Sequence, residues 1–317
     1  MRVVVTGVAG FIGSQLAERV VEDGGSVVGV DRFSDYYSED LKRRNLDRLS
    51  ETPEFELIVG DLAEFDVEPL LDGVDVVYHL AAQPGVRASW GRDFEVYVRD
   101  NVLATQRVFE AARAGAGQRV VFASSSSVYG NAERFPVEEG DPMNPVSPYG
   151  VTKLAAEHLA RAYWSNFEVP TIALRYFTIF GPRQRPDMAF ARFIDAAIEG
   201  RPVEVLGDGL QARDFTFVDD AVAATLAAGQ SGVPGRAYNI AGGTETTVLE
   251  AIELIARLLD SAPKVVHLPA APGDVRKTGA DTSLAREDLG YRPQVSLEQG
   301  LAAQVEEQRR ARGLLEH

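Results

Sequence analysis

The chain has 317 residues, of which 45% are hydrophobic and 25% charged, a composition that suits one large globular domain or two of ordinary size. It contains no cysteine, which excludes disulfides, thiolate metal sites and a cysteine nucleophile. The net charge of −15 argues against a nucleic-acid or anionic-membrane partner, and no stretch approaches the about 18 apolar residues of a membrane span.

A strand, a glycine-rich loop and a helix follow one another at the start of the chain. Residues 2–6 form a β-branched run typical of a buried parallel strand, and residues 14–21 have a helical pattern. Between them, Gly7 would make a tight turn, Gly10 would let the backbone approach a pyrophosphate, and Gly13 completes a G-x-x-G-x-x-G spacing. The helix N-terminus would offer free N–H groups to the phosphates, so this unit predicts a dinucleotide site.

The second predicted strand, residues 26–30, ends at an acidic residue, Asp31. A carboxylate at this position fits a bond to the adenosine ribose hydroxyls, and its charge would repel the 2′-phosphate of NADP. The next residue, Arg32, could instead serve such a phosphate. The pattern favours NAD as the cofactor and leaves NADP as the alternative.

The third and fourth predicted strands, residues 55–59 and 74–80, also end in residues suited to a cofactor. Asp61 follows the third strand and is a candidate for the adenine amino group or for a helix N-cap. The small residues that follow the fourth strand, Ala81 and Ala82, leave room for a ligand. His79 lies inside that strand with no second ligand near it in the sequence, so we expect it in the core and expect no metal site.

The fifth predicted strand, residues 119–123, runs into four consecutive serines, Ser124–Ser127. Hydroxyls at the carboxyl end of a strand suit hydrogen bonds to a polyol substrate, although a serine-rich turn would have the same composition.

Farther along, Pro148 should begin a helix, which places Tyr149 and Lys153 at i and i+4 on one face. A nearby ammonium favours the phenolate of a tyrosine, whose ordinary pKa is about 10, so the pair could take a proton from a sugar hydroxyl. The alternative is an ordinary amphipathic helix with an exposed lysine.

After a sixth strand at residues 171–176, the strict alternation of strand and helix loosens. The patterns that follow predict short strands at 203–209 and 237–240, and helices at 189–199, 219–228, 248–259 and 297–310. This order predicts an α/β fold, a doubly wound parallel Rossmann sheet with a smaller α/β substrate-binding lobe toward the C-terminal end. We expect residues 1–175 to form the cofactor domain and residues 176–314 to form mainly the substrate lobe, interleaved with the first.

Five arginines lie in this second half, mostly in loops beside Gly, Pro or Asp: Arg183, Arg185, Arg192, Arg213 and Arg276. An acidic protein that concentrates arginines in one lobe could be building an anion site. Solvated loop charges would explain each of them as well.

Taken together, these motifs resemble those of the extended short-chain dehydrogenase/reductases, and among them the NAD-dependent nucleotide-sugar epimerases. The resemblance covers essentially the whole chain and rests on these segments: Gly7–Gly13, Asp31, Asp61–Leu62, His79–Ala82, Ser124–Gly130, Tyr149–Lys153 and Gly207–Asp214. Ser125 stands at the catalytic Ser/Thr position, and the next two positions are serines rather than the acidic residues that mark the family's dehydratases and decarboxylases. Residues 31–43, 83–91 and 181–190 resemble the UDP-glucuronate 4-epimerases.

The resemblance implies that C4 of UDP-glucuronate is inverted to give UDP-galacturonate. Tyr149, supported by Lys153 and by the nicotinamide charge, would remove the proton of the 4-hydroxyl while Ser125 hydrogen-bonds the same oxygen. Hydride would pass from C4 to a tightly bound, recycled NAD, and the 4-keto sugar would rotate and take it back on the other face. The C6 carboxylate would have to be held by hydrogen bonds, because a β-keto acid readily loses CO2.

The resemblance also implies which residues contact the ligands. The catalytic residues would be Tyr149, Lys153 and Ser125. The cofactor would contact Gly7, Gly10, Phe11, Ile12, Gly13, Asp31, Arg32, Asp61, Leu62, Leu80, Ala81, Ala82, Asn101, Tyr149, Lys153 and Tyr176. The substrate would contact Pro84, Arg87, Ser125, Ser126, Ser127, Thr178, Arg185, Arg192, Arg213 and Arg276. Among these, Arg185 is the main candidate for the carboxylate and Arg213 for the diphosphate.

Three alternatives remain open. A UDP-galactose 4-epimerase would use the same chemistry on a neutral sugar, although that group usually has Asn where this chain has Thr178. A UDP-glucuronate decarboxylase would release CO2 from the same intermediate. A non-catalytic NAD-sensing module would keep the fold without the chemistry.

We expect a UDP-sugar as the small-molecule partner, and neither a nucleic acid nor a membrane. The resemblance implies a homodimer formed by the helices near residues 93–114 and 149–166. Their apolar residues suit that interface, although core packing explains them equally: Phe94, Val98, Val102, Leu154, Leu159 and Tyr163. The chain begins without a signal-peptide pattern, so a cytoplasmic location is expected, and residues 315–317 resemble the remnant of an expression tag.

Overall fold

The computed structural model describes residues 1–115 and 117–314, so the predicted tag remnant at 315–317 lies outside the described residues. The strands are β1 (Arg2–Thr6), β2 (Ser26–Asp31), β3 (Phe55–Val59), β4 (Val76–His79), β5 (Arg119–Ser125), β6 (Thr171–Tyr176), β7 (Thr178–Phe180), β8 (Val203–Leu206), β9 (Ala212–Phe217), β10 (Ala237–Ile240), β11 (Glu245–Thr247) and β12 (Val265–Leu268). The helices are α1 (Phe11–Glu22), α2 (Glu39–Arg44), α3 (Asp47–Ser50), α4 (Phe94–Tyr97), α5 (Ala104–Ala114), α6 (Pro148–Phe167), α7 (Ala189–Ile198), α8 (Val218–Ser231), α9 (Val248–Leu258), α10 (Ser283–Leu289) and α11 (Leu297–Ala311). Among the helices of the described ranges, none is both long enough and apolar enough to cross a bilayer.

A parallel sheet of seven strands, in the order β10-β6-β5-β4-β1-β2-β3, forms the centre of the molecule. Its strands read as continuous apolar runs because helices cover both faces. The chain leaves β1 toward β2 and later returns to β4 on the other side of β1, so the strand order reverses there. Ligands of doubly wound sheets bind outside the carboxyl ends of the strands at such a reversal. The predicted fold class is confirmed.

Alternate residues of the strands point into two hydrophobic layers. Val3 and Val5 belong to one buried cluster, with side chains of α1 and α8. Val4 belongs to the other, with side chains of α5 and α6. Each layer packs helices against one face of the sheet. The packed sheet holds in place the strand ends from which the loops at its carboxyl edge begin.

The smaller lobe is built around short strands that the sequence analysis only partly predicted. β9 pairs antiparallel with β11 and parallel with β7, and β8 pairs parallel with β12. The strand predicted at 203–209 ends at Leu206, because Gly207 turns the chain with a φ of +71°. The strand predicted at 237–240 is β10, which lies at the edge of the large sheet beside β6.

Two predicted helices have different limits in the structure. α1 begins at Phe11, about one turn before the predicted start at Ser14, because the extended Gly10 already leads the chain into the helix. The helical segment predicted near 93–114 contains a π-helical turn at Val98–Leu103 between α4 and α5. Such turns are frequent at functional sites, and this one includes Asn101, which is 1% exposed.

Candidate active site

A cleft runs along the carboxyl ends of the parallel strands. Thr6, the last residue of β1, lies opposite Val30 of β2 and His79 of β4, so the loops that follow these strands meet at one edge. The cleft has a volume of about 430 Å³. The predicted ligand-binding residues that line it are Gly7, Gly10, Phe11, Ile12, Gly13, Asp31, Arg32, Asp61, Leu62, Leu80, Ala81, Ala82, Pro84, Ser125, Ser126, Ser127, Tyr149, Lys153, Tyr176, Thr178 and Arg185.

The glycine loop packs so tightly that side chains are excluded from it. Gly7 adopts a φ of +69°, and a Cβ there would lie 2.8 Å from the backbone nitrogen of Ala81. A Cβ on Gly13 would lie 2.2 Å from the Gly7 carbonyl oxygen. The Gly10 N–H donates to that same oxygen at 3.0 Å. The first turn of α1 therefore approaches the end of β1 with bare backbone, which is the arrangement a pyrophosphate needs.

Gly13→Ala should destabilise the protein and weaken NAD binding. Alanine is the better helix former by about 1 kcal/mol, but overpacking of this kind costs about 1–3 kcal/mol, and here the obstacle is backbone. We expect a lower thermal unfolding midpoint and a higher Kd for NAD by calorimetry. Gly140→Ala is the matched control, since a Cβ at Gly140 would meet nothing within 4 Å. Equal midpoints for the two variants would contradict this account of the loop.

Asp31 closes the cleft at the end of β2. Its carboxylate accepts hydrogen bonds from the N–H groups of Ala9 at 3.0 Å and Phe33 at 2.8 Å. Burial raises the pKa of Asp31, while those N–H groups and the charge of Lys42 lower it. Lys42 is 4% exposed and also lines the cleft, but the sequence analysis did not assign it to the site. Lys42 lies in the stretch 31–43, which resembles UDP-glucuronate 4-epimerases. Only the fold shows that Lys42 is buried near Asp31.

Arg32 is held between two carboxylates. Its guanidinium contacts Asp61 at 3.2 Å and Asp100 at 2.5 Å, and Arg99 contacts both acids as well. Asp61 also accepts a hydrogen bond from the Ala63 N–H at 2.9 Å, but residues 62–65 form a turn, so the helix N-cap considered as its alternative is not what the structure has. Both terminal nitrogens of Arg32 are thus engaged by carboxylates of the protein. This arrangement supports the preference for NAD over NADP.

His79 and Asn101 are buried residues that hydrogen-bond to neighbouring parts of the chain and do not line the cleft. The two ring nitrogens of His79 contact the hydroxyls of Thr6 at 2.8 Å and Thr105 at 3.0 Å, and burial lowers its pKa to about 3. His79 is therefore a core residue, as expected. Asn101 was predicted to contact the cofactor, but its amide bonds the N–H and C=O of Gln83 at 2.7 and 3.0 Å and does not reach the cleft lining. Within the described residues, no group of three or more His, Asp or Glu side chains is placed to hold a metal ion.

Tyr149, Lys153 and Ser125 lie together in the cleft, at the end that is formed by the last residue of β5 and the start of α6. The hydroxyl of Ser147 caps α6 by accepting a backbone N–H bond at 3.1 Å, so this helix begins where predicted. Lys153 is 6% exposed and donates to the Ala123 carbonyl at 2.8 Å. Its Nζ lies 5.9 Å from the centre of the Tyr149 ring.

The charges around Tyr149 include one from a distant loop, that of Arg185. Burial raises the pKa of Tyr149, while a hydrogen bond with Ser125 and the charge of Arg185 lower it. Burial also lowers the pKa of Lys153 to about 8. The ammonium of Lys153 donates to a backbone carbonyl, and Arg185 brings a second cation near the phenol. That Lys153 favours the phenolate stays a prediction.

Arg185 brings a guanidinium to the same end of the cleft. It lies in the loop between β7 and α7 and forms two bonds to Asp187, each 3.0 Å long. Thr178, at the start of β7, and the serines that follow β5 line the surrounding wall. A cation, several hydroxyls and a phenol therefore face one volume, as recognition of a sugar acid requires.

Four of the predicted arginines lie outside the cleft lining, and each contacts a protein acceptor. The pairs are Arg87 with Asp274 at 2.8 Å, Arg213 with the Val275 carbonyl at 2.7 Å, Arg276 with Asp208 at 2.6 Å and Arg192 with Glu204 at 3.1 Å. Three of the four come together at residues 274–276. Arg87 contacts Asp274, Arg213 contacts Val275, and Arg276 is itself part of this segment. Arg192 lies elsewhere, and the predicted contact of these arginines with the substrate stays a prediction.

The cleft also contains side chains that the sequence analysis did not assign. Tyr36 and Tyr37 come from the segment between β2 and α2, Gln83 comes from the loop after β4, and Met188 immediately precedes α7. All four lie in the stretches that resemble UDP-glucuronate 4-epimerases, residues 31–43, 83–91 and 181–190, which was the available signal. They meet only because loops distant along the chain converge at one edge of the sheet.

Residues 3–241 match the family described as the NAD dependent epimerase/dehydratase family. The chain is 42% identical over 307 residues to YtcB of Bacillus subtilis (strain 168), named as an uncharacterized UDP-glucose epimerase, and the match covers 96% of this chain and 97% of YtcB. It is 35% identical over 305 residues to the UDP-glucuronate 4-epimerase of Thermodesulfobacterium geofontis (strain OPF15), covering 95% of this chain and 94% of the relative.

The solved structures include a similar chain with ligands bound. The UDP-glucuronic acid 4-epimerase from Bacillus cereus, in complex with UDP-glucuronic acid and NAD, aligns with a TM-score of 0.95 and 41% sequence identity. The alignment covers 98% of this chain and 100% of that one. The similarity therefore includes the sheet, the smaller lobe and the cleft between them.

Proposed function

The chain belongs to the NAD dependent epimerase/dehydratase family, and on that premise we propose that it inverts C4 of a UDP-hexuronic acid, interconverting UDP-glucuronate and UDP-galacturonate. NAD is the cofactor of this family and is present in the similar B. cereus structure. The similar proteins from B. cereus and T. geofontis are named for this activity on UDP-glucuronate. The observation that carries the assignment is that Arg185 shares one end of the cleft with Tyr149 and the serines.

The cleft fits NAD. The bare backbone at Gly7 and Gly13 would receive the pyrophosphate at the N-terminus of α1. Asp31, at the end of β2, would accept bonds from the adenosine ribose, and Asp61, which also lines the cleft, would accept a bond from the adenine amino group. When bound, NAD supplies a hydride acceptor that can return the hydride later, so the reaction has no net change in redox state.

Tyr149 would act as the base that takes the proton from the 4-hydroxyl and returns it. Burial alone opposes the phenolate, so the charge of Arg185, the hydrogen bond with Ser125 and the positive charge of the nicotinamide would have to offset it. Ser125 would hold the same sugar oxygen. Lys153 would anchor α6 to the end of β5 through its bond to Ala123 and would add its charge when protonated.

Arg185 would restrain the C6 carboxylate. A ketone at C4 is β to that carboxylate, and such acids lose CO2 when the breaking bond overlaps with the carbonyl π system. Bonds from Arg185 and from the hydroxyls of Ser126, Ser127 and Thr178 would hold the carboxylate in an orientation with poor overlap. The acid–base residues used by the family's dehydratases are replaced by serines, so epimerisation is favoured over elimination.

The name of YtcB favours a second candidate, the same inversion on a neutral UDP-hexose. The two candidates are separated by incubating the purified, NAD-loaded protein with UDP-glucuronate and with UDP-galactose and measuring products by NMR. We expect UDP-galacturonate from UDP-glucuronate, and a higher kcat/KM for the acid than for the neutral sugar. The reverse order of kcat/KM would assign the neutral activity instead. Deuterium at C4 should be retained in the product, and its loss to solvent would contradict hydride return.

Arg185→Ala should reduce kcat/KM for UDP-glucuronate. Each charge-assisted bond contributes about 1.5–3 kcal/mol, which corresponds to about 10–150-fold in rate. A weakly held carboxylate should also release UDP-pentose as a side product, detected by NMR. Arg201→Ala is a control, because Arg201 forms an exposed pair with Glu199 outside the cleft. An unchanged rate with UDP-glucuronate would remove Arg185 from the site.

We also propose the division of the chain into a cofactor part, residues 1–175, and a mainly substrate-binding part, residues 176–314. The two are interleaved, because β10 from the second part completes the large sheet. A cytoplasmic location remains a prediction from the sequence.

A homodimer is a further proposal, and burial decides which residues support it. Of the six apolar residues named for the interface, Phe94 and Val98 are 37% and 41% exposed. Leu154, Leu159 and Tyr163 instead pack into the hydrophobic clusters. Two side chains not named before, Leu103 and Val151, are 43% and 48% exposed on the same helical segments. Light scattering in solution would test the assembly.

A further inference from the structure

Arg185 already holds a carboxylate of its own chain. Its Nε donates to Oδ1 of Asp187 at 3.0 Å, and its Nη2 donates to Oδ2 at 3.0 Å. This is the two-bond, fork-to-fork geometry in which guanidinium groups bind carboxylates most strongly. The side chain of Arg185 is 19% exposed and that of Asp187 is 37% exposed. The arginine lines the cleft and is mostly enclosed, while its carboxylate partner is more exposed and lies outside the cleft lining.

Tyr36 completes this contact. Its hydroxyl donates to Oδ2 of Asp187 at 3.2 Å, and the guanidinium carbon of Arg185 lies 5.9 Å from the centre of its ring. The hydroxyl also lies against the loop after β4, where a Cβ on Gly85 would come within 2.6 Å of it. Three segments that line the cleft thus meet around the carboxylate of Asp187.

We infer that Asp187 is a specificity-determining residue, which competes with the substrate carboxylate for Arg185. This inference rests on the proposed function, since it concerns how that site distinguishes acidic from neutral sugars. The edge of the guanidinium formed by Nε and Nη2 can satisfy one carboxylate with two parallel bonds, and Asp187 occupies it. Two carboxylates on one cation would leave one negative charge uncompensated in a partly enclosed site.

The consequence differs between the two classes of sugar. A UDP-hexuronic acid has to displace Asp187, which is more than one-third exposed and can turn toward water without losing its hydration. A neutral UDP-hexose leaves the pair intact, so the charge of Arg185 stays compensated and the site tolerates a hydroxymethyl group. Asp187 therefore reduces the preference for the acid below what Arg185 alone would produce. If Asp187 instead only orients Arg185 for the substrate, its removal has the opposite effect on the acid.

The experiment compares equilibrium binding of UDP-glucuronate and UDP-glucose to NAD-loaded wild type, Asp187→Asn, Asp187→Ala and Tyr36→Phe by titration calorimetry. We expect Asp187→Asn and Asp187→Ala to lower the Kd for UDP-glucuronate by about 3- to 5-fold, and to change the Kd for UDP-glucose by less than about twofold. Tyr36→Phe should shift the ratio in the same direction by less. Both ligands carry the same diphosphate, but UDP-glucuronate has one more negative charge, so a control has to show how much of the change in the Kd ratio follows from removing a remote carboxylate. Asp23→Asn is the control, because it removes a carboxylate from an exposed pair with Arg19.

A higher or unchanged Kd for UDP-glucuronate in both Asp187 variants would overturn the inference, as would equal shifts for both ligands. Binding requires no turnover, so the comparison stands even if the wild type converts only the neutral sugar. Conversion of only the neutral sugar by the wild type would refute the proposed function, but the competition between Asp187 and UDP-glucuronate for Arg185 could still be measured by binding. Failure of the wild type to bind UDP-glucuronate at all would overturn both.

Discussion

Replacing Tyr149 with phenylalanine should lower kcat by about 10²–10⁴-fold, the range that a positioned general base contributes. Phenylalanine keeps the ring, which packs edge-on against Tyr97 with centroids 6.3 Å apart, so the fold and NAD affinity should persist. The variant removes only the oxygen that would take the sugar proton. At about 1.4 kcal/mol per tenfold change, the loss corresponds to about 3–5 kcal/mol of transition-state stabilisation.

Tyr163→Phe, on the same helix, is the matched control for this experiment. The hydroxyl of Tyr163 bonds Glu110 and Gln106 and does not reach the cleft, so its removal should leave kcat within about twofold. Steady-state rates with UDP-glucuronate, together with calorimetric NAD binding, measure both variants. A Tyr149→Phe enzyme that retained its turnover would rule out the phenolate mechanism.

Glu157→Gln should lower the free energy of unfolding by about 3–5 kcal/mol, the usual consequence of breaking a buried ion pair at one partner. Glu157 is 9% exposed and Arg175 is 3% exposed, and Nη2 of Arg175 lies 2.6 Å from Oε2 of Glu157. Ser124 also donates to Glu157, at 2.5 Å, and Arg175 donates to the hydroxyl of Tyr129 at 2.7 Å. The pair thus joins α6, which carries Tyr149, to β5 and β6.

Urea unfolding monitored by circular dichroism measures the effect. Glu204→Gln is the comparison, because Glu204 and Arg192 form an exposed pair, and such pairs contribute about 0–1 kcal/mol. The double variant Glu157→Leu with Arg175→Met should recover much of the lost stability, since it removes both charges from the interior. Equal stability of Glu157→Gln and Glu204→Gln would show that burial does not strengthen this pair.

Sequence patterns identified those parts of the site that depend on neighbours along the chain. The strands at residues 2–6, 55–59, 171–176 and 237–240 have the predicted limits, because short runs rich in apolar residues between turns specify them locally. The glycine loop, the acid at the end of β2 and the Tyr/Lys pair on α6 were found for the same reason. Each is a short spacing whose geometry follows from one turn or one helix.

Other outcomes depended on which segments meet in space. β7, β9, β11 and β12 were not predicted, since each is only three to six residues long and forms by pairing with strands that are mostly distant in the chain. Arg185, 36 positions after Tyr149 by their numbers, brings a charge near the phenol that the spacing within α6 did not indicate. Of the five arginines predicted to contact the substrate, Arg185 faces the cleft, and the other four contact acceptors outside its lining.

The sequence by itself determined the sheet, the order of its strands along the chain and the residues at their carboxyl ends, because periodicity and turn chemistry act over a few residues. The tertiary structure decided which of those residues share one volume and which charges are already paired. Ionic contacts depend on distance through space and on burial, and neither quantity is encoded by spacing along the chain. That is why the pairing of Asp187 with Arg185, and the enclosure of Lys42 beside Asp31, became visible only when the loops were placed on the sheet.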